Sequence, residues 1–285
     1  MWRSPISLVI SLVCVALCPA QELRVPASVT AGDDASISTT GSGKATFYLL
    51  GPGASRKSDV NLGEEIRLPG KDVQHAGEYV AVLCSSTCDS ATFYVSAAKP
   101  MTLAFVVHPS RVPVAENEAV SGVAFPFDQY DNLVLAPETI SFQLASKNAP
   151  AISKATRTED GVAWFRTASG KSAGPVQITA SLGDITEKRA LQQVASDPCN
   201  LRIKGERTAK GIVVETDPVH DCAGNVVPDG TIITFTASDA TGKSTVDAPV
   251  KAGIAKAQID ASGPAVITVA SGIVMGNELR IGGQQ

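Results

Sequence analysis

Two stretches of the sequence share one pattern and decide the fold: FDQYDNLVLAPETISF, residues 127–142, and HDCAGNVVPDGTIITF, residues 220–235. In each, an aspartate opens a short polar turn that contains an asparagine. Apolar residues follow, and then a β-rich run that ends in phenylalanine. The spacing from aspartate to phenylalanine is the same in both stretches, Asp128 to Phe142 and Asp221 to Phe235. The pattern predicts one β module that is used twice.

The repeat continues downstream of both phenylalanines. Gly161 matches Gly253, Gly174-Pro175 matches Gly263-Pro264, and the same apolar alternation follows each Gly-Pro pair. Two modules are therefore predicted, one at residues 99–196 and the other at residues 197–285.

The stretch before these modules, residues 21–98, is less similar to them. It contains HAGEYVAVL, in which Tyr79 leads a strand in the manner of the tyrosine that closes an immunoglobulin sandwich. However, Ala81 stands where such a domain places its inter-sheet cysteine. We expect a sandwich here too, held by its apolar faces.

Short apolar runs that alternate with polar residues occupy nearly the whole chain after residue 20. Examples are KATFYLL, TISFQLA and PAVITVAS, which are rich in Val, Ile, Thr and Phe and are separated by turn residues. No stretch keeps a helical period over three turns. The predicted fold class is all-β, with three tandem immunoglobulin-like β-sandwiches and almost no helix.

Composition argues against some classes of partner. The chain has 285 residues, 44% of them hydrophobic, and a formal net charge of −4. A nucleic-acid binder would need a basic stripe to replace phosphate counterions, and docking on anionic lipid would also need basic clusters. We therefore expect neither nucleic acid nor an anionic membrane surface as a partner.

The first twenty residues have the features of a secretory signal peptide. Arg3 precedes an apolar core at residues 6–17, and small residues end the segment at Ala20. A lipoprotein signal is the alternative, but Leu17, before Cys18, is not the small residue that lipidation requires. Cleavage after Ala20 is predicted, and no membrane span is expected in the mature chain. The protein is expected to be exported to the periplasm, the cell surface or the medium.

The last two modules resemble bacterial immunoglobulin-like repeats of the invasin and intimin type. The resemblance rests on the two quoted stretches and on the strand near the end of each module, GPVQIT at residues 174–179 and GPAVIT at residues 263–268. Those repeats commonly carry a D-x-x-G-N turn, which this chain keeps as Asp221, Gly224 and Asn225. The earlier turn departs from it, with Asp131 in place of the glycine. The first module is only generically immunoglobulin-like.

Four cysteines remain after the predicted leader, and an even number in an exported chain indicates disulfides. Three pairings are possible, and proximity favours Cys84–Cys88 and Cys199–Cys222. Cys84 and Cys88 flank a predicted hairpin turn. Cys199 starts the third module's first strand and Cys222 ends its second, so antiparallel pairing would bring them together. Zinc is the alternative, with His75 or His220 as a further ligand, although no second pair of ligands has suitable spacing.

Three further features suggest chemistry. Asp128, Asp131 and Asn132 place three oxygen-bearing side chains in one turn, which makes them weak calcium candidates beside the commoner role of bonding turn backbone. GKSAG, residues 170–174, matches the hydrolase motif G-x-S-x-G, but a strand follows Ser172 where a helix is required. Trp164 is expected to fill the core, the alternative being outward stacking on a ligand.

These features predict a protein without an active site or cofactor. The expected role is that of a cell-surface spacer or adhesion module that binds a protein or glycan on a cell surface. A carbohydrate-binding or structural subunit of a periplasmic or outer-membrane assembly is the alternative, and would need an exposed aromatic platform. A hydrolase that uses Ser172 is the second alternative.

Overall fold

Alternation of apolar and polar residues produces strands throughout the part of the chain that the structure describes. The structure is a computed structural model, and it describes residues 22–147 and 149–282. The predicted signal peptide lies outside these residues. The described chain divides into two compact units. One contains the residues up to Lys99 together with Asp128–Leu133, and the other contains Pro100–Phe127 and the residues from Val134 onwards.

The first unit contains eight strands and one 3-10 turn, Gly70–Asp72. The strands are β1 (Leu23–Arg24), β2 (Ser28–Thr30), β3 (Ala35–Thr39), β4 (Lys44–Gly51), β5 (Ala54–Asn61), β6 (Glu65–Leu68), β7 (Gly77–Cys84) and β8 (Cys88–Ser96). They form a three-stranded sheet in the order β1-β3-β6 and a five-stranded sheet in the order β2-β8-β7-β4-β5.

The second unit begins with a closely similar pair of sheets. Its first strands are β9 (Thr102–His108), β10 (Arg111–Pro113), β11 (Val120–Phe127), β12 (Thr139–Ser146), β13 (Ala149–Arg157), β14 (Ala163–Thr167), β15 (Gly174–Leu182) and β16 (Ile185–Val194). The three-stranded sheet has the order β14-β11-β9, and the five-stranded sheet has the order β10-β16-β15-β12-β13. As in the first unit, one short edge strand pairs in parallel: β10 with β16 here, and β2 with β8 there.

The same unit continues with a second set of strands. These are β17 (Pro198–Cys199), β18 (Ile203–Thr208), β19 (Gly211–Thr216), β20 (His220–Asp221), β21 (Ile232–Asp239), β22 (Gly242–Pro249), β23 (Lys256–Ile259), β24 (Ala265–Ser271), β25 (Val274–Met275) and β26 (Leu279–Ile281). β18-β19-β23 form one sheet and β22-β21-β24 another, with β25 and β26 both pairing with β24. β17 and β20 form a two-stranded ladder.

The cores lie between the paired sheets because every second side chain of a strand points inward. One cluster in the first unit surrounds Phe47 and Tyr79. The second unit has two clusters, one around Phe142 and one around Phe235. Each fully buried phenylalanine contributes about 2 kcal/mol by leaving water. The all-β prediction of tandem sandwiches is confirmed, and the one helical element of the described residues is the 3-10 turn.

The predicted module boundaries differ from the division into compact units. Asp128–Leu133 belongs to the second predicted module in sequence, yet it groups with the residues up to Lys99. The boundaries after Ala98 and after Ser196 therefore stay a prediction. Within residues 22–147 and 149–282, no helix has the length and apolar character that crossing a bilayer requires.

Candidate functional site: two Asp–Asn turns and an outward apolar row

The aspartate and asparagine of the second quoted stretch close one tight loop, which we call the second Asp–Asn turn, residues 221–225. The backbone N–H of Asp221 donates to the carbonyl of Asn225 at 2.9 Å, and the N–H of Gly224 donates to the carbonyl of Asp221 at 3.1 Å. Gly224 has a φ of +87°, in the left-handed region that glycine adopts without strain. The local sequence therefore suits the turn.

The carboxylate of Asp221 is the centre of this turn. Its Oδ1 accepts from the backbone N–H groups of Ala223 at 2.9 Å and Asn225 at 2.8 Å. Its Oδ2 accepts from the backbone N–H of Ser196 at 3.1 Å and from Nδ2 of Asn225 at 3.0 Å. Asp221 thus ties the turn to the segment that enters its own module.

Asn225 makes the longer connection. Its Nδ2 donates to the carbonyl of Lys171 at 2.8 Å, and its Oδ1 accepts from the backbone N–H of Ala173 at 2.9 Å. Both partners lie in the loop between β14 and β15. One amide side chain therefore fastens the turn to a loop more than fifty residues earlier, inside the second compact unit.

The first Asp–Asn turn, residues 128–132, repeats this arrangement inside the first compact unit. Asp128 accepts from the backbone N–H groups of Ala98, Tyr130 and Asn132 and from the side chain of Asn132, at 2.8–2.9 Å. Asn132 donates to the carbonyl of Gln74 at 2.7 Å and accepts from the N–H of Ala76 at 2.8 Å. Both aspartates bond the residue that ends the preceding predicted module, Ala98 in one case and Ser196 in the other.

Asp131 explains how the first turn tolerates its departure from the glycine pattern. Its φ is +62°, the conformation that Gly224 supplies in the second turn. Aspartate is among the few residues other than glycine that enter this region readily. The substitution changes the residue and keeps the backbone path.

Both aspartates are held in the ionised form. Burial by itself raises the pKa of Asp128, but hydrogen bonds from the Asn132 side chain and from backbone N–H groups outweigh burial and bring the pKa below its ordinary value. The pKa of Asp221 is lowered in the same way, with hydrogen bonds from Asn225 and from the backbone again outweighing burial.

The calcium candidates are not arranged as cation ligands. The two oxygens of Asp128 each accept two N–H groups, which uses all four of the lone-pair sites that a carboxylate offers. Asn132 uses its amide oxygen to accept from Ala76. Across residues 22–147 and 149–282, no group of three acidic, histidine or cysteine side chains is placed to hold a metal ion. The geometry assigns Asp128 and Asn132 to bonding the backbone.

Tyr130 adds an apolar contact in the first turn that the second turn does not have. Its ring packs against the core of the first unit. A Cβ placed on Gly32 would overlap the hydroxyl and the ring carbons of Tyr130, so glycine at this position leaves room for the ring. The corresponding residue of the second turn is Ala223. Sequence reasoning missed this contact because nothing local links residues 32 and 130.

Both disulfides have the pairing that strand order favours. Cys84 and Cys88 face each other at the end of the β7–β8 hairpin, with their sulfurs 2.02 Å apart. Cys199 lies in β17, and Cys222 directly follows β20, which pairs antiparallel with β17. All four sulfur atoms that a zinc site would need are engaged in these bonds.

Ser172 lies in the loop between β14 and β15, and strand β15 begins two residues later at Gly174. A hydrolase elbow requires a helix at that point, whose N-terminus helps to stabilise the oxyanion. The residues on either side of Ser172 are the two that bond Asn225. The GKSAG motif therefore forms the loop whose backbone hydrogen-bonds the side chain of Asn225 in the second Asp–Asn turn.

The prediction that Trp164 fills the core is wrong. Trp164 lies on β14 and is 61% exposed, while its neighbours Ala163 and Phe165 are buried. Strand pairing places Trp164 beside Val123, and Val123 beside Val106, which is 60% exposed. These three side chains form an outward row across the β14-β11-β9 sheet, which we call the apolar row. The sequence contained one signal for this outcome. Arg166 lies on the same face of the strand as Trp164, and because arginine is rarely buried, it indicates that this face is exposed.

A different row occupies the equivalent place in the β18-β19-β23 sheet. Lys204 pairs with Glu215, and Glu215 pairs with Lys256. The ammonium groups of both lysines lie 3.2 and 3.4 Å from the Glu215 carboxylate, and hydrogen bonding and charge from Lys204 lower the pKa of Glu215. We call this the charged row. Lys256 is the counterpart of Trp164, because each lies three residues after the matching glycine, Gly253 in one module and Gly161 in the other.

Comparison with known proteins identifies the architecture. No protein-family model matches the chain, and no curated protein matches it. Among solved structures, the Escherichia coli adhesin FdeC superposes with a TM-score of 0.65 at 14% identity, covering 92% of this chain and 97% of that one. The chain shares the tandem immunoglobulin-like β-sandwich fold of that structure.

Two further bacterial structures share this fold. InvD of Yersinia pseudotuberculosis has a TM-score of 0.51 at 10% identity and covers 91% of this chain and 96% of its own. Invasin, a bacterial integrin-binding protein, has a TM-score of 0.50 at 11% identity and covers 90% of this chain and 57% of its own. The resemblance to invasin-type repeats is confirmed at the level of fold.

Proposed function

We propose that this chain is an exported, non-catalytic adhesion protein that presents a binding surface to a protein or glycan on a cell surface. The observation that carries the proposal is the second Asp–Asn turn. Asp221 bonds Ser196, and Asn225 bonds Lys171 and Ala173. Within the second unit, two successive sandwiches are thus linked by one half-buried hydrogen bond, from Ser196 to Asp221, and by two exposed hydrogen bonds of the Asn225 side chain. Hydrogen bonds between successive sandwiches limit the movement of one against the other, which suits a protein that has to present a surface in a fixed orientation.

The structural neighbours support the same role by analogy. FdeC is an adhesin and invasin is an integrin-binding protein, and this chain shares their fold. The hydrogen bonds of the second Asp–Asn turn add support that depends on the residues of this chain, because a fold by itself does not determine a function.

Export is part of the proposal. Two disulfides support it, because such bonds persist in oxidising compartments and are rare in the reducing cytosol. Fractionation of an expressing bacterium, followed by sequencing of the recovered N-terminus, is expected to find the chain outside the cytoplasm and starting at Gln21. Recovery from the cytoplasm with Met1 retained would contradict this part.

Adhesion is tested with beads. Beads coated with the purified chain are expected to adhere to a panel of animal and bacterial cells more than albumin-coated beads do, and soluble chain should compete. Pretreatment of the cells with protease or with glycosidase separates a protein partner from a glycan partner. Adhesion no greater than that of albumin on every cell type would overturn the proposal.

A further inference from the structure

The apolar row is an exposed surface in a chain that has few aromatic residues with which to build one. We propose that the outward face of the β14-β11-β9 sheet binds a partner protein that presents apolar side chains beside a carboxylate. This inference rests on the proposed adhesion function and specifies its surface and its ligand chemistry.

The face is continuous and largely apolar. Val106, Val123 and Trp164 lie side by side across three strands. Phe125 is two residues along β11, on the same outward face, with Ala104 beside it on β9. Contiguous exposed apolar surface of this kind marks interaction sites in soluble proteins, and tryptophan is the side chain most often found at their energetic centres.

The fold itself does not require an apolar row at this place. The equivalent row of the β18-β19-β23 sheet is Lys204, Glu215 and Lys256, joined by two ion pairs. In the first unit, the outward row of the β1-β3-β6 sheet is Arg24, Ser38 and Glu65, all exposed. Three sheets of the same kind therefore carry two rows with charged side chains and one apolar row.

Charge indicates what covers the face. The row beside the apolar row consists of Arg166, Ser121 and His108. Ten outward side chains of the three strands include one guanidinium and no carboxylate: Thr102, Ala104, Val106, His108, Ser121, Val123, Phe125, Phe127, Trp164 and Arg166. The outward side chains of these strands thus offer one cation, Arg166, in a chain whose net charge is −4. A partner with a carboxylate beside its apolar residues is complementary to it.

Arg166 is available for such a contact. Its guanidinium lies 3.7 Å from the Glu118 carboxylate, and both side chains are more than half exposed. Ion pairs of this kind hold their partners weakly because water screens them. A partner carboxylate that arrives with apolar neighbours would exclude that water and strengthen its own contact with the guanidinium.

Binding can be measured with defined probes. The probes are three short dye-labelled peptides that alternate Leu with Glu, Leu with Lys, and Ser with Glu. Trp2→Phe in the full chain leaves Trp164 as the sole tryptophan, so its emission reports on this face alone. We expect the Leu-Glu peptide to bind and to shift Trp164 emission to shorter wavelength, while the Leu-Lys and Ser-Glu peptides bind about tenfold more weakly or not at all.

Matched variants locate the site. Trp164→Ala and Val106→Thr are expected to weaken binding of the Leu-Glu peptide, measured by dye anisotropy, by about tenfold or more. Arg166→Glu should reverse the preference in favour of Leu-Lys. Lys256→Ala, at the position equivalent to Trp164, should leave binding unchanged.

Several outcomes would overturn the inference. These are equal binding by Trp164→Ala and the unaltered chain, equal affinity for the Leu-Glu and Leu-Lys peptides, or no binding of any peptide. Sedimentation that shows a dimer abolished by Trp164→Ala would assign the face to a second copy. Glycan-array binding lost in the same variant would assign it to carbohydrate.

The adhesion assay separates this inference from the proposed function. If beads coated with the unaltered chain and with Trp164→Ala adhere equally to cells, the β14-β11-β9 face is not the adhesion surface, and the proposed adhesion function is unaffected. If the Leu-Glu peptide binds at Trp164 but coated beads adhere to no cell, the face stands and the adhesion function fails.

Discussion

Asn225 donates a hydrogen bond from its side chain to the backbone carbonyl of Lys171 at 2.8 Å. The same amide accepts from Ala173, and the GKSAG loop becomes the partner of a turn in the next predicted module. A motif that suggested nucleophilic chemistry thereby has a structural role. Asn132 makes the same pair of bonds to Gln74 and Ala76 in the first unit.

Replacing Asn225 tests this relationship. Asn225→Ala removes both bonds, each worth about 1 kcal/mol, and should loosen the second unit without unfolding either sandwich. Spin labels on Lys188→Cys and Lys243→Cys should show a broader distance distribution in Asn225→Ala. Lys251→Ala, an exposed change in the same region, serves as the control. Unchanged distributions in Asn225→Ala would show that the bonds do not hold the unit.

Acid should weaken both turns. Because folding lowers the pKa of Asp128 and of Asp221, their contribution to stability is complete above about pH 4 and is lost as the pH falls through the folded-state values. Urea unfolding at about pH 7 and about pH 3 should show a loss of unfolding free energy on acidification. Asp128→Asn and Asp221→Asn should each reduce the size of that loss. Equal acid sensitivity in the variants and the unaltered chain would contradict the assignment.

The two disulfides should differ in their contribution to stability. Cys199 and Cys222 are 23 residues apart, whereas Cys84 and Cys88 are four apart. In the chain-entropy model, removing the longer link by Cys199→Ala with Cys222→Ala costs about 3 kcal/mol, and removing the shorter one costs about 2 kcal/mol. Chemical denaturation of both double variants measures the difference. A larger loss from the shorter link would show that local geometry outweighs loop entropy.

Gly32 and Tyr130 should be energetically coupled. Gly32→Ala introduces a Cβ where the Tyr130 ring lies, at a residue whose φ is +82°. We expect a loss of about 1–3 kcal/mol in unfolding free energy. Tyr130→Ala, which imitates Ala223 of the second turn, should relieve the steric part in the double variant. A double-mutant cycle measures the coupling, and additive losses would show that the ring does not contact residue 32 in solution.

Ser172 should show no nucleophilic reactivity. A fluorophosphonate probe is expected to leave the chain unlabelled, because Ser172 precedes a strand and has no oxyanion-stabilising helix after it. Labelling that disappears in Ser172→Ala would restore the hydrolase alternative. Ser169→Ala is unsuitable as a control because Ser169 is buried and bonds the backbone of Pro113 and Glu116. Ser181→Ala, on β15, is the better choice.

The sequence by itself determined the strands and the turns, and among three possible pairings it favoured the two disulfides that the structure has. Period-two alternation and turn residues are local signals, and each cysteine lies near its partner along the chain. It also placed Asp128 and Asp221 in equivalent turns, because an aspartate that bonds the backbone of its own turn depends on neighbours within four residues.

Only the tertiary structure decided what those turns hold, and it settled which face of β14 is outward, for which Arg166 was the one local signal. Asn225 meets Lys171, and Tyr130 meets Gly32, across long stretches of chain that no local pattern connects. Alternation shows that Trp164 and Phe165 lie on opposite faces of their strand, but each face carries one aromatic ring. Which ring is buried depends on the side from which the second sheet packs, and that is a property of the assembled sandwich.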